Sequence, residues 1–450
     1  MLLENVLARY YDRIRLAARR LLPDGTETNG DFTPGVELPE LGPAMLEYLS
    51  VSGMEYRRLP SHRGKSLAML DLTRNPATMT TKTFASLVIV ARAVRFVQDT
   101  GERVTIVTPS SANKAVALRD AVLRAIGCGL VTADQLNVVA LVPAGAVGKL
   151  RACDLFRDAD LRRRNPIAVF PGDPPGRVKD ISRGLVDEHR AELERDLKTN
   201  LWYTLRLENY LAADVVRAFA EADFFPPAPG EPRLHAHAVS SAFGLLGHAY
   251  GRSMAPQSER AATPDPHYFL VQHLGAPDMV LSLYNEGSTD ARHLPRYTYD
   301  AGTGLHVQSD NPHFPAFTYD PDETLDPTFY TRTPPTSRQM NELIGRRGGG
   351  GIVVSLAECL NRYAQIRALL GEARIRLPVR PLALREWSLV MAFTGVLNAI
   401  DRGLVPEHDV LVHASGSYAD DDYAALTVRD LHPVEDVESF RQVLCKTLAS

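Results

Sequence analysis

The sequence predicts an α/β fold of two open, doubly wound parallel-sheet domains. Three observations predict it. Short apolar runs of strand length recur along the chain at Val104–Thr108, Val138–Val142, Pro166–Phe170, Leu234–Val239 and Val410–His413. Helical segments separate many of them, with apolar residues at three- and four-residue spacing, as in Phe84, Leu87, Val88, Val90, Ala91 and Val94. The turns between are short and made of small residues. Parallel strands need such helical crossovers and are buried on both faces.

In chain order, Asn5–Leu22 reads as a helix ended by Pro23-Asp24-Gly25, and 26–43 as an irregular loop. Ser66–Leu72 reads as a strand leading to a turn at Lys82, and a helix runs from Thr81 to Asp99. After the strand Val104–Thr108 come a turn at Ser110–Asn113 and a helix over Ala115–Ile126. Lys149–Arg157 is helical, and Asp187–Ala222 reads as one long, charge-rich helix broken by the Pro226–Gly230 connector. The strand Leu234–Val239 is followed by a turn at Ser240–Gly244 and a helix from Leu245. Met279–Leu283 reads as a strand and 291–332 as an irregular excursion. Helices over Thr336–Arg346, Leu356–Leu370 and Leu384–Asp401 follow, with a glycine run into a strand at Gly348–Ser355 and a loop after Val410–His413 at Ser415–Asp422. The organisation expected is an N-terminal segment, 1–75, packing on the larger domain, a smaller α/β domain over 76–195, and the larger one over 196–450.

Composition excludes several classes. With 450 residues the chain can bury more than one core. Its net charge of −4 gives no global field for nucleic acid, and Arg162-Arg163-Arg164 reads as a solvated turn. No apolar segment reaches membrane-spanning length, and Met1–Leu22 lacks the apolar block of a signal peptide. The cysteines, Cys128, Cys153, Cys359 and Cys445, form no CxxC pair, so neither a zinc ribbon nor a disulfide framework is expected, and a reducing cytoplasm is.

The chemistry-bearing pieces are a lysine and three small-residue turns. Lys82 lies in a Thr-rich strand-to-helix turn, where open α/β folds bind ligands. A lysine amine forms imines only when part of it is neutral. The Ser110–Asn113 and Ser240–Gly244 turns each lead from a strand into a helix, so their backbone N–H groups are placed for an anion. Asn113 can donate an amide hydrogen to a phenolate oxygen, and Ser415 can donate its hydroxyl to a neutral pyridine nitrogen. A lysine for the aldehyde, a turn for the ring hydroxyl, a turn for the phosphate and a serine for the ring nitrogen are what a pyridoxal phosphate (PLP) site requires. Each piece alone reads more readily as a helix cap or a surface residue; their order makes the case.

Other candidates are poorer. His235 and His237 alternate along a strand and share a face, but no third ligand is evident and no metal is expected. Gly348–Gly351 lacks the Lys-Ser/Thr of a P-loop, and Asp420-Asp421-Asp422 reads as a solvated loop.

These residues resemble the tryptophan-synthase-β superfamily of PLP enzymes, fold type II, and among them the long-form threonine synthases. Pro76–Lys82 is similar to their Pro-Thr-x-x-x-Lys motif with one residue extra, Ser111-Ala112-Asn113 to their Ser-Gly-Asp/Asn turn, and Ser240–Gly244 to their Ser/Thr-Gly-Asn-Phe-Gly phosphate loop. Asn200–Arg206 resembles their Asn-x-x-x-x-x-Arg segment, and Tyr284–Ser288 their Thr-Asn-Glu-Asn-Asp strand end. Ser415–Tyr418 resembles the Ser-Gly-x-Gly loop of the wider superfamily. Thr83 stands where the family has Asp, and Ala112, Ala115, Ser241 and Tyr418 where it has glycine.

The resemblance implies PLP in a cleft between the two domains, and β- or γ-elimination or replacement on an amino-acid substrate in specialised biosynthesis. It implies Lys82 as catalytic and cofactor-binding residue, Asn113, Ser240, Ser241, Ala242, Phe243, Gly244 and Ser415 around the cofactor, and Ser110, Ser111 and Ala112 toward the substrate. A homodimer is compatible with it. A true threonine synthase and a non-catalytic relative acting as a binding partner are the alternatives.

Overall fold

The computed structural model describes residues 1–22, 31–258 and 263–448. The expected helix stop at Pro23-Asp24-Gly25 and the start of the 26–43 loop lie outside them. The chain divides into two compact units. The first comprises Met1–Leu3, Met54–Thr73 and Arg217–Ala419; the second comprises Glu4–Gly53, Arg74–Val216 and Asp420–Ser450.

Among the described residues, the first unit holds a seven-stranded sheet in the order Leu2–Leu3, Met54–His62, Lys65–Asp71, Asp409–Ala414, Arg233–Ala238, His267–His273, Gly349–Val354. Its first three strands pair antiparallel and the rest parallel. The chain moves one way from Arg233–Ala238 through His267–His273 to Gly349–Val354. It then returns to place Asp409–Ala414 on the other flank of Arg233–Ala238. Strand order therefore reverses between these two neighbours, and ligands of open α/β sheets bind at the carboxyl ends of strands at such a point. The helix Ser388–Asp401 is buried from Ser388 to Ile400 and packs on this sheet. Gly395 permits that approach, since a Cβ there would lie 2.6 Å from Val271 Cγ1 and 3.0 Å from Ile352 Cγ2.

The second unit holds a parallel five-stranded sheet in the order His432–Pro433, Ile167–Phe170, Leu136–Pro143, Val104–Pro109, Asn200–Tyr203. Here the order reverses beside Val104–Pro109, the strand that feeds the Ser110–Asn113 turn. The helix Lys82–Thr100 is buried along most of its length and packs on the helices Asn113–Gly127 and Glu208–Asp214.

Several expectations are corrected. Asp187–Ala222 is not one helix. Lys198 turns left-handed at φ 52°, ending the helix Arg177–Leu197, and Asn200–Tyr203 is an edge strand before helices Glu208–Asp214 and Val216–Phe224. Met279–Leu283 lies in a helix, Asp278–Tyr284, so the segment likened to a strand end is a helix end. The excursion over 291–332 carries a small antiparallel sheet of Thr298–Asp300, Leu305–Val307 and Phe317–Thr318. Unit boundaries also fall away from 75 and 195. Residues 196–216 join the second unit because Asn200–Tyr203 pairs with Val104–Pro109. The C-terminus joins it because His432–Pro433 pairs with Ile167–Phe170 and the helix Val437–Leu448 packs on Arg177–Leu197. Among the described residues no helix is long and apolar enough to cross a membrane.

Candidate active site

In the first unit, the Ser240–Gly244 turn follows Arg233–Ala238 and Ser415 follows Asp409–Ala414, so both stand at the reversal of the larger sheet. Ala242 holds φ 51°, a left-handed conformation that costs a non-glycine residue about 1–2 kcal/mol. The helix Phe243–Met254 starts immediately after it, leaving its first N–H groups without intrahelical partners. Thr336 Oγ1 donates to the Ser241 carbonyl at 2.7 Å and pins the turn. Gly244 has no room for a side chain: a Cβ would lie 2.9 Å from Arg217 Nη2 and 3.2 Å from His237 Cε1.

A row of buried histidines lies beneath. His235 and His237 come from one strand, His413 from its neighbour in register with His237, and His248 from the following helix. His237 Nε2 and Ser415 Oγ are hydrogen-bonded at 2.8 Å. The other protons are set by Arg217, which can only donate. Its Nη1 lies 2.9 Å from His413 Nδ1, which must accept. His413 therefore carries its proton on Nε2 and donates to His235 Nδ1 at 3.0 Å. His235 in turn carries its proton on Nε2, 3.5 Å from Glu221 Oε1. Burial pushes His413 far below the ordinary histidine value, and Arg217 adds to the shift. His235 is pushed down likewise, by burial first.

Glu221, His235 and His248 each offer a ligand atom within 4.8 Å of the others, all buried, which supplies the third partner not evident from the sequence. The hydrogen-bond directions argue for another reading. The lone pair a metal would need on His235 Nε2 is already protonated. Glu221 is satisfied by donors: Arg233 Nη1 at 2.7 Å on Oε1 and His248 Nε2 at 2.8 Å on Oε2. Burial opposes its ionisation, but the His248 hydrogen bond and the Arg233 charge hold the carboxyl well below the usual carboxylate range. Arg233 also pairs with Asp409 at 2.8 Å. The cluster is a paired internal carboxylate beside a cavity of about 290 Å³ that Glu221, Arg233 and His235 help to line.

In the second unit, Lys82 is the first residue of its helix and half-buried. Thr83 donates its hydroxyl to the Thr80 carbonyl at 2.9 Å. Ser110 is buried, and its oxygen accepts from Ala112 N at 3.1 Å and Ala115 N at 2.9 Å. It caps the helix Asn113–Gly127, so of the residues expected toward the substrate Ser111 is the more open. Ala112 is fully buried with φ 91°, a glycine-like conformation held by an alanine. Strain of this kind before both candidate helices marks turns that their surroundings over-determine.

Sequence reasoning missed Lys114. It is 7% exposed. Its Nζ donates to the Thr204 carbonyl at 2.9 Å and lies 5.6 Å from the Tyr210 ring centroid. No carboxylate meets it among the described residues. Burial, and then the charge of Lys82, push its amine well below the ordinary lysine value. The signal available was a lysine directly after the Asn of the turn. Tyr418 is fully buried, and its carbonyl accepts from Arg385 N at 2.9 Å and Glu386 N at 3.2 Å.

The expected residues thus fall into two sets. Ser240, Ser241, Ala242, Phe243, Gly244 and Ser415 lie together in the first unit; Lys82, Ser110, Ser111, Ala112 and Asn113 lie in the second.

A protein-family profile described as a family of unknown function (DUF6002) matches residues 2–448. None of the curated proteins matches the sequence. Among solved structures, the chain is similar to threonine synthase from Escherichia coli, with a TM-score of 0.53 and 14% identity over 95% of this chain and 96% of that one. It is similar to PLP-bound threonine synthase from Brucella melitensis, with a TM-score of 0.55 and 13% identity over 97% and 89%. Threonine synthase from yeast matches with a TM-score of 0.50 and 12% identity over 89% and 81%. The fold is therefore that of the threonine synthases, as the motifs implied.

Proposed function

Since this chain belongs to a family of unknown function (DUF6002), its site has to speak for its activity, and we propose that it is a PLP-dependent enzyme catalysing β- or γ-elimination or replacement on an amino acid. The observation that carries the reading is that Ser240–Gly244 and Ser415 stand at the reversal point of one sheet, joined beneath by His237.

The turn suits a phosphate dianion. It offers the first N–H groups of a helix, the Ser240 and Ser241 hydroxyls, and a glycine where a side chain would clash. When bound, PLP supplies an aldehyde for an amine and a ring that accepts electrons from a breaking bond. Ser240, Ser241 and the N–H groups of Ala242, Phe243 and Gly244 would hold the phosphate. Ser415 would hold the ring nitrogen by a hydroxyl rather than a carboxylate, which leaves that nitrogen neutral and suits elimination or replacement better than transamination. Lys82 would bind the aldehyde and then take the proton from the substrate Cα. Asn113 would hold the ring hydroxyl. Ser111 and the turn N–H groups would hold the substrate carboxylate, with Ser110 stiffening the turn.

The first test is a titration of the purified protein with PLP, followed by visible absorbance. A saturable visible band, lost in Lys82→Ala without loss of folding, is expected. A colourless protein at saturating PLP contradicts the reading.

A further inference from the structure

The bond between His237 and Ser415 has two possible directions, and they suit opposite partners. A serine hydroxyl carries one proton. If Ser415 gives it to His237, Ser415 keeps only lone pairs for a ligand, and the ligand must be a donor. If His237 donates instead, the Ser415 proton is left for an acceptor.

The surroundings favour the second direction. Arg217, 1% exposed, and His237 both lie within contact of the Cβ position of Gly244, so a fixed positive charge sits beside the His237 ring. Adding another positive charge nearby, on the imidazole or on a ring nitrogen held by Ser415, works against that field. A neutral acceptor does not. The same arginine already forces His413, in register with His237, to be neutral.

We propose that His237 is a positioning residue for Ser415. Its Nε2–H donates to Ser415 Oγ, and the Ser415 proton is thereby turned toward an unprotonated ring nitrogen of the cofactor. The same imidazole, through Cε1 against Gly244, supports the phosphate turn, so one side chain sets the relative place of two cofactor loops. The ring half of this inference rests on the PLP reading; the direction of the bond does not.

Two measurements separate them. The first is a proton–nitrogen correlation spectrum of the full-length protein carrying isotopically labelled histidine, with and without PLP. His237 is identified by its disappearance in His237→Gln. The expected result is a neutral ring protonated on Nε2. A proton on Nδ1, or on both nitrogens, overturns the proposal, and this reading needs no variant to fold beyond the one used for assignment.

The second is PLP affinity. His237→Gln keeps an amide N–H for Ser415 and is expected to bind within about threefold of the parent, whereas His237→Leu loses on the order of tenfold, as for one hydrogen bond. Equal losses in both variants, with unchanged melting temperatures, overturn the positioning role. A parent that binds no PLP overturns the ring half together with the functional reading, while the spectrum still decides the direction of the bond.

Discussion

Arg217 donates to His413 Nδ1 across 2.9 Å, and that bond fixes the proton positions from His413 through His235 toward Glu221. A guanidinium cannot accept, so each later partner has its role decided for it. The network therefore runs from His413, near the carboxyl end of its strand, back to an internal carboxylate paired with Arg233 at the amino end of the next. His237, with Arg217 beside it at Gly244, is what the Ser240–Gly244 turn and Ser415 have in common.

The histidine row makes stability fall with acid. His235 and His413 stay neutral in the fold because burial pushes both below their ordinary value, and Arg217 adds to the shift on His413. The unfolded chain takes up protons on them below about pH 6.5, so it binds more protons than the fold there and stability rises with pH. Each such histidine contributes a slope of about 1.4 kcal/mol per pH unit. Urea unfolding followed from pH 7 to 5 should show an uptake of at least about two protons. A flat profile over that range contradicts the neutral row.

Lys114 should weigh on the fold at neutral pH. Its folded amine is pushed below the ordinary lysine value, by burial first and Lys82 second, while the unfolded amine is protonated up to about pH 10.4. Stability should therefore rise toward that pH by about 1.4 kcal/mol per unit for this group. Lys114→Met should be more stable than the parent at pH 7 and lack that rise between pH 8 and 10. Parallel parent and variant curves would show that Lys114 is charged and compensated in the fold.

How much of this was legible in the sequence depends on whether the cause was local. The strands ending at Pro109, Ala238 and Ala414 were readable because each is a short apolar run bounded by small turn residues. The turns after them were readable for the same reason. Met279–Leu283 was not, because five apolar-rich residues fit strand and helix equally until a partner decides. Asn200–Tyr203 was hidden between charged helices, and only its pairing to Val104–Pro109 makes it a strand. The pairing of His235 and His237 on one face was visible from their alternation. Glu221, His248 and His413 were not, since they come from separate elements that only packing brings to that face. Lys114 escaped notice because its burial depends on Thr204 and Tyr210, ninety and more residues away in the chain.

Gly244→Ala tests the close approach. The added methyl meets the Arg217 guanidinium at 2.9 Å, and both Arg217 and His237 are held by other bonds. Overpacking of this kind costs about 1–3 kcal/mol. The free energy of urea unfolding should fall by that amount and PLP binding should weaken. A variant as stable as the parent, with PLP affinity intact, would show that the arginine moves aside freely.

Ser415→Asp should change chemistry more than fold. A carboxylate there draws a proton onto the ring nitrogen and makes the ring a stronger electron sink, diverting an amino-acid substrate toward transamination. Comparing visible spectra and product partition of variant and parent with one amino acid checks this. Identical spectra and products, with PLP fully bound, would show that Ser415 does not meet the ring.

The most direct test of the central claim is to incubate the purified protein with PLP, reduce with borohydride and locate the modified lysine by peptide mass spectrometry. The account predicts a single pyridoxyl adduct on Lys82, with Lys114 unmodified. An adduct on another lysine, or none at saturating PLP, would contradict it.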